Sequence, residues 1–367
     1  MSRDRIRVAL FVGSLGGGGA QRHVSLLAPR LDRERFEVLV LCRARAGEYL
    51  PELEAAGIEV VEMASNGRLF GPSALAASVR LARLIEERRL DVLHSFLFEC
   101  NVQGSLARML VPGVRHVAGL RNMDWDFGRV RNALYASLLT RADGVVAVCD
   151  AVRRRYAELG VPEERITVVR NGVPAPEPAA SHAAGDPAGG PVVLTLARLN
   201  RGKGLDTLLA AARLVLREIP RARFVIGGEG PDRGRLEKLR ASMGLDGHVS
   251  MPGPLADPRG ALRGAALFVL SSTQEGISNA LLEAQSEGVA SVATDVGGNA
   301  EVVEDGVTGL IVPSGRPDVL AGAICALLRD DARRASMAGA ASRRARRVFG
   351  LETMVQALER YYERLCA

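Results

Sequence analysis

Strand-like and helix-like hydrophobic patterns alternate along this chain, break once, and then begin again. In the first half, "RVALFVGS", "FEVLVLC", "IEVVEM", "DVLHSF", "RHVAGL" and "GVVAVC" are near-continuous apolar runs separated by helical periodicity. Such runs are strands buried on both faces, which predicts a parallel sheet wound with helices on each side. From residue 171, "NGVPAPEPAASHAAGDPAGGP" carries no hydrophobic period and is rich in Pro, Ala and Gly, the composition of a linker. The alternation then restarts with "VVLTLARL", "RFVIGGEG", "HVSMPG", "AALFVLSS", "ASVAT" and "TGLIVP". The expected fold class is α/β, with two doubly wound, Rossmann-like domains. Their expected bounds are 1–170 and 191–347, joined by a linker over 171–190 and followed by a last helix over 348–367. At 367 residues, two domains are also what chain length alone suggests. Ligands in such sheets bind beyond the carboxyl ends of the strands, and two such edges facing each other would form a cleft.

Charge narrows the partners. The sequence holds 48 Lys and Arg against 42 Asp and Glu, a formal net charge of +6. That excess favours anionic partners such as nucleotide phosphates or lipid head groups. There is no aromatic-rich basic stripe and no zinc-finger spacing, so a nucleic-acid partner is not expected. The five cysteines form no close set and suit reduced, buried thiols in the cytoplasm. The N-terminus enters a strand directly with no signal-peptide pattern, and no run approaches the length of a membrane span.

Four stretches carry candidate chemistry. "VGSLGGGGAQRHV" joins a strand to a helix through Gly16 to Gly19, where backbone can approach a phosphate at a helix start. The second strand ends in Cys42 and Arg43 without the ribose-holding acid of a dinucleotide fingerprint, which argues against NAD. "LARLNRGKGLDTLL" puts Arg198 just after a strand and Lys203 five residues later. A guanidinium fork and a mobile ammonium together could neutralise a diphosphate, although solvated surface charge fits the same pattern. This is no Walker A loop, because GxxxxGK[ST] is absent.

"SSTQEGISNALLEAQSEG" holds Glu275 and Glu283 eight positions apart. On one unbroken helix they would point about 80° apart and share no face. If Glu275 lies in a loop, Gly276 makes the turn and a helix begins near Ser278, then Glu283 leans back toward the same point. Between them the backbone N–H groups of Ile277, Ser278, Asn279 and Ala280 form a helix-start anion site. The two acids would accept hydrogen bonds from hydroxyls, a sugar at one end and a ribose at the other. A plain N-cap at Ser278 with solvated acids is the alternative. Finally, His94 in "DVLHSF" and Arg121 in "HVAGLRNMDWD" are expected at the carboxyl edge of the first sheet, where they could face an acceptor, although a lone His at a strand end is more often a hydrogen-bonded structural residue than a catalyst. Asp124 and Asp126 form a DxD of the kind that can hold a divalent metal, a match frequent by chance.

The order and spacing of these motifs resemble the retaining GT-B glycosyltransferases of family 4, which include bacterial mannosyltransferases and sucrose synthases. The resemblance runs through "GGGGAQRHV", "VVRNGV", Arg198, Lys203, "EGISNALLEAQSEG" and "TDVGGNAEVVEDGVTGLIVP". It implies that Arg198 and Lys203 hold the diphosphate of a nucleotide-diphospho-sugar donor, a co-substrate, with no further cofactor. Glu275 would contact the transferred sugar and Glu283 the ribose, with backbone at Ile277, Ser278 and Asn279 holding sugar and phosphate. Gly17 and Gly18 would approach from the first domain, and "MPGPL", with Gly253 and Leu255, would meet the base. The last helix would cross back to the first domain. It departs from the family pattern at Gln21, at "EAQSEGVAS" and at Arg121, where some members carry a histidine facing the acceptor.

The expected reaction is transfer to an acceptor hydroxyl with retention and without a metal, and the resemblance implies same-face attack in which the leaving phosphate oxygen helps to take the acceptor proton. The two-carboxylate pattern of glycosidases is not evident. His94 is the candidate for orienting sugar or acceptor. A lipid-linked acceptor, met by peripheral association with the anionic inner face of the membrane, fits the basic balance and the arginine-bearing helices. Two other readings stay open: a nucleotide-sugar 2-epimerase of the same architecture, and a non-catalytic protein that binds nucleotide-sugars.

Overall fold

The computed structural model describes residues 5–63, 72–123, 128–176 and 189–367. Two compact units make it up, one of Met1–Gly172 with Leu351–Ala367 and one of Val173–Gly350.

The strands of the first unit are β1 (Ile6–Val12), β2 (Phe36–Cys42), β3 (Glu59–Glu62), β4 (Val92–Phe96), β5 (Arg115–Leu120), β6 (Gly144–Ala147) and β7 (Ile166–Val168). They form one sheet in the order β3-β2-β1-β4-β5-β6-β7, every neighbour parallel. Six of these were legible as apolar runs. β7 was not, because three residues are too few to show a period. β1 shows why the runs are apolar throughout. Val8, Leu10 and Val12 enter one core, while Ala9 and Phe11 enter a second core with Leu81 and Ile85 on the other face. From Val8 onward a side chain that points either way meets a helix, so no position there is left for a polar residue.

The helix Leu351–Cys366 completes the first of those cores. Leu351, Met354, Val355, Leu358, Tyr361 and Tyr362 recur at three- and four-residue spacing and are buried in it. Full burial of one such side chain contributes about 1.5–3 kcal/mol. Its polar face is also engaged. Glu359 Oε1 accepts the Asp32 N–H at 2.9 Å, and Arg35 lies between Glu359 and Glu363.

In the second unit β8 (Val192–Leu196), β9 (Arg223–Gly227), β10 (Val249–Gly253), β11 (Leu267–Leu270), β12 (Ser291–Thr294) and β13 (Gly309–Val312) pair in parallel in the order β10-β9-β8-β11-β12-β13. Both sheets therefore reverse their direction of winding once. The reversal falls between β1 and β4 in the first unit and between β8 and β11 in the second. Crevices at such reversals are where open α/β sheets hold ligands.

Buried imidazoles lie inside the first sheet. His116 is fully buried, with Nε2 2.8 Å from Ser95 Oγ, and Ser95 bonds Asn101 Oδ1 at 2.8 Å. Its backbone N–H donates to Asp143 at 2.9 Å, and Asp143 also pairs with Arg108 at 2.8 Å. Burial pushes the His116 imidazole down to about 4, against the pull of Asp143. An imidazole lowered in the folded state contributes stability that is complete above the unfolded value of about 6.5 and is lost as pH falls toward the folded value. Between pH 6.5 and 5 this one group should cost on the order of 2 kcal/mol. Urea midpoints at pH 7 and pH 5 check it: the native protein is expected to lose more stability over that interval than His116→Gln, and equal losses would disprove the assignment.

Candidate functional site

The segment after β8 is held tightly although it looks like a loop. Leu199 is buried, donates its N–H to Glu229 O at 2.9 Å and accepts the Asp232 N–H at 3.0 Å. This pins the backbone at Arg198 while its side chain stays exposed. Among the described residues Arg198 has no carboxylate partner, in contrast to Arg233 nearby, which is spent on Glu229 and Glu237.

Next comes a short 3-10 turn, Arg201–Lys203, closed by Gly204 in the left-handed conformation at φ 59°. A Cβ at Gly204 would lie 2.0 Å from the carbonyl oxygen of Ser271, so only glycine lets the two chains touch. Ser271 Oγ donates to Lys203 O at 3.0 Å, and the Thr273 N–H donates to Gly202 O at 2.9 Å. The loops leaving β8 and β11 are thus laced together across the winding reversal.

That lacing brings two chemical groups into contact. Lys203 Nζ sits 2.6 Å from Glu275 Oε1, and Ser272 Oγ donates to the same oxygen at 2.7 Å. Glu275 is 8 % exposed, so its charge depends on these partners. A third strand braces it. Gly298 N–H donates to Gly276 O at 2.7 Å, and a Cβ at Gly297 would fall 1.9 Å from Glu275 O. The "DVGG" after β12 therefore shapes the Glu275 turn from behind. Sequence reasoning saw those glycines as part of a resemblance and missed their mechanical role, which the pairing of β11 with β12 decides.

The helix Asn279–Ser286 begins as expected, with Ser278 as N-cap, its Oγ accepting the Leu281 N–H at 3.3 Å. Ile277 and Ser278 are buried, Asn279 and Ala280 half-buried, and Glu283 lies half-buried in the second turn. Gly253 ends β10 and its carbonyl accepts the Gly228 N–H at 2.8 Å, while Leu255 packs over Gly227 at the end of β9. Arg198, Lys203, Gly253, Leu255, Glu275 and the 277–283 turn all lie at the carboxyl edge of one sheet. The arrangement joins a paired and an unpaired cation, a helix start and two acids, a set able to hold a group with phosphate at one part and hydroxyls at another.

The first unit places its candidates differently. Gly17 and Gly18 are exposed between β1 and the helix Gly19–Leu27. Arg121 lies just beyond the end of β5, its guanidinium 5.9 Å from the Phe96 ring centre and hydrogen-bonded to Asn171. His94, expected at an open strand end, is instead the third residue of β4 and is 0 % exposed. The strand runs on to Phe96, so register pairs His94 with Leu10 and Val117 inside the sheet. Its Nδ1 lies 2.6 Å from the Tyr362 hydroxyl of the last helix, so that nitrogen is taken up inside the fold and only Nε2 is left without a partner. Leu97, the next residue after β4, takes φ 71°, a left-handed backbone at the winding reversal that no sequence signal announced. Asp124 and Asp126 lie outside the described residues. Among the described residues no group of three or more His, Cys, Asp or Glu is placed to hold a metal.

Comparison with known proteins bears on the family and the fold. Residues 17–175 match the family model described as Glycosyltransferase Family 4, and residues 190–330 match that described as Glycosyl transferases group 1. The D-inositol 3-phosphate glycosyltransferase of Kineococcus radiotolerans is 32 % identical over 96 % of this chain and 92 % of its own. The GDP-mannose-dependent alpha-(1-6)-phosphatidylinositol monomannoside mannosyltransferase of Mycobacterium tuberculosis is 29 % identical over 89 % of each. Among solved structures, Anabaena HepE in complex with UDP and glucose superposes with a TM-score of 0.87 at 21 % identity, covering 98 % of this chain and 99 % of that one. At that identity the likeness is one of fold.

The Lys203–Glu275 contact makes a stability prediction. Lys203→Met strands a buried carboxylate and is expected to cost about 3 kcal/mol. Adding Glu275→Gln removes the charge and should recover at least half of it. Denaturant midpoints of the two single variants and the double variant test this, and additive losses would show that the contact carries no coupling.

Proposed function

We propose a function from one premise: the chain belongs to the group 1, family 4 glycosyltransferases, a GT-B family. As a glycosyltransferase it serves polysaccharide or glycolipid synthesis. We infer that it moves a sugar from a nucleotide-diphospho-sugar to an acceptor hydroxyl, with retention at the anomeric carbon and without a metal. The observation that carries this is the Lys203–Glu275 contact at the winding reversal, beside an exposed Arg198 that lacks a carboxylate partner among the described residues.

The chemistry needs charge placed where charge develops. As the glycosidic bond breaks, the diphosphate gains negative charge, and preorganised cations and backbone N–H groups stabilise that change most when they need not move. Arg198 and Lys203 stand on a pinned backbone, and the start of the helix Asn279–Ser286 adds its dipole. Glu275, already holding Lys203 and Ser272, is suited to accept sugar hydroxyls on its remaining lone pairs, and Glu283 a turn later to accept those of a ribose. Supplied this way, the stabilisation asks for no metal.

The acceptor reading rests on surface chemistry. In the helix Arg129–Thr140, Val130 is 74 % and Leu134 61 % exposed, although the opposite face is already packed through Tyr135 and Leu139. Arg131 and Arg141 flank them, and residues 128–141 contain no Asp or Glu. An outward apolar face with basic flanks suits the anionic surface of a bilayer, and with it a lipid-linked acceptor. The mycobacterial relative, by its name, acts on such a lipid.

Two experiments test these readings. With purified protein, a matching nucleotide-sugar and an acceptor, Arg198→Ala and Lys203→Ala should each lower kcat/KM by about 100-fold. NMR of the product should show the anomeric configuration of the donor, unchanged by chelator. An inverted product ends the retaining reading, loss with chelator ends the metal-free one, and an epimerised nucleotide-sugar formed without acceptor makes the enzyme a 2-epimerase. For the surface, flotation with phosphatidylglycerol-containing vesicles should retain the native protein and release the Val130→Asp, Leu134→Asp double variant. Equal retention would remove this helix from membrane contact.

A further inference from the structure

Arg121 is out of keeping with the other part-buried arginines of its unit. Arg43 pairs with Glu99 and Arg108 with Asp143. Among the described residues Arg121 has no such partner: it hydrogen-bonds neutral Asn171, itself buried, and stands over the Phe96 ring. A guanidinium withdrawn from water without a counter-charge is unfavourable, and desolvation pulls it down to about 9.

The surroundings repeat the theme. Arg121 lines a cavity of about 10 Å³, room for one water-sized atom, together with His23, His94, Phe96 and Gly119. His23 is 4 % and His94 0 % exposed, and His23 Nδ1 and His94 Nε2 have no hydrogen-bond partner. Burial first, and Arg121 next, hold both imidazoles well below their ordinary range, so they stay neutral. A cation without a counter-charge and two unpartnered ring nitrogens thus line one small space at the carboxyl edge of β5. Neutral imidazoles add no repulsion to the arginine, and His94, whose Nδ1 can accept from the Tyr362 hydroxyl, can turn its Nε2–H toward an anion.

We infer that this cavity receives one oxygen of a negatively charged group, a phosphate or a carboxylate, carried by the acceptor. Arg121 is the residue that selects an anionic acceptor, with His23 and His94 as its neutral supports. The inference rests on the reading of the first unit as the acceptor side. It gives the departure at Arg121 a chemical meaning: a guanidinium is charged at neutral pH, where an imidazole is charged only in part. A sugar ring cannot enter a space for one atom, so the hydroxyl that is glycosylated lies outside the cavity and the anion serves to position it.

The test separates this claim from the transfer reaction. In the full-length chain carrying Arg198→Ala and Lys203→Ala, which silences the donor-side cations, thermal unfolding is followed with inorganic phosphate, with acetate and with chloride at matched ionic strength. Phosphate or acetate should raise Tm by several degrees over chloride, the stronger of the two naming the anion class. Adding Arg121→Gln should abolish that rise, and Arg121→Lys should keep part of it. No rise with either anion, or a rise that survives Arg121→Gln, overturns the proposal whether or not the protein transfers sugar. With active protein, paired acceptors that differ only in the anionic group should differ in kcat/KM by at least about tenfold. That ratio should collapse toward one in Arg121→Gln, chiefly through KM, and equal use of both acceptors by the native protein would also overturn it.

Discussion

The close crossing of Gly204 over the Ser271 carbonyl is the constraint on which the second unit's site depends. A left-handed glycine with no room for a Cβ allows two loops from neighbouring parallel strands to touch, and Ser271 and Thr273 then bond to the turn that carries Lys203. Lys203 reaches Glu275 because of that crossing. The glycines after β12 hold the other side of the same turn, so three consecutive strands of the sheet converge on one carboxylate. Rigidity of this kind is what electrostatic stabilisation of a leaving diphosphate requires, because charges that must first reorganise give back much of what they contribute.

The first unit solves a different problem with the same sheet plan. Its winding reversal lies between β1 and β4, and there the chain buries imidazoles where the second unit holds a carboxylate paired with a lysine. The last helix closes that region, its Tyr362 hydroxyl meeting His94 while its apolar stripe fills one face of the sheet. A helix from the far end of the chain thus sets the chemical environment of a residue on β4. Beside it Arg121 keeps a charge in a partly buried place with a neutral partner, an arrangement that costs stability.

Much of this was legible before any coordinates. Strands buried on both faces are apolar along most of their length, so β1, β2 and β8 announced themselves, whereas β7, three residues long, could not. The turn around Glu275 was also legible: eight positions separate it from Glu283, and only a loop followed by a helix start near Ser278 reconciles the two directions. His94 was misplaced because a histidine near the end of an apolar run looks like an edge residue until the register of the pairing strands is known.

By itself the sequence determined the two successive parallel sheets, the family, and the residue types at the carboxyl edge of the second, since each follows from local periodicity or from motifs contiguous in the chain. The tertiary structure alone decided that Lys203 contacts Glu275 across 72 positions and that Tyr362 meets His94 across 268. It also decided that Arg121 has no carboxylate partner among the described residues. The reason is that charge balance and hydrogen bonding depend on which strands become neighbours and in what register, and no local pattern in the chain records that choice.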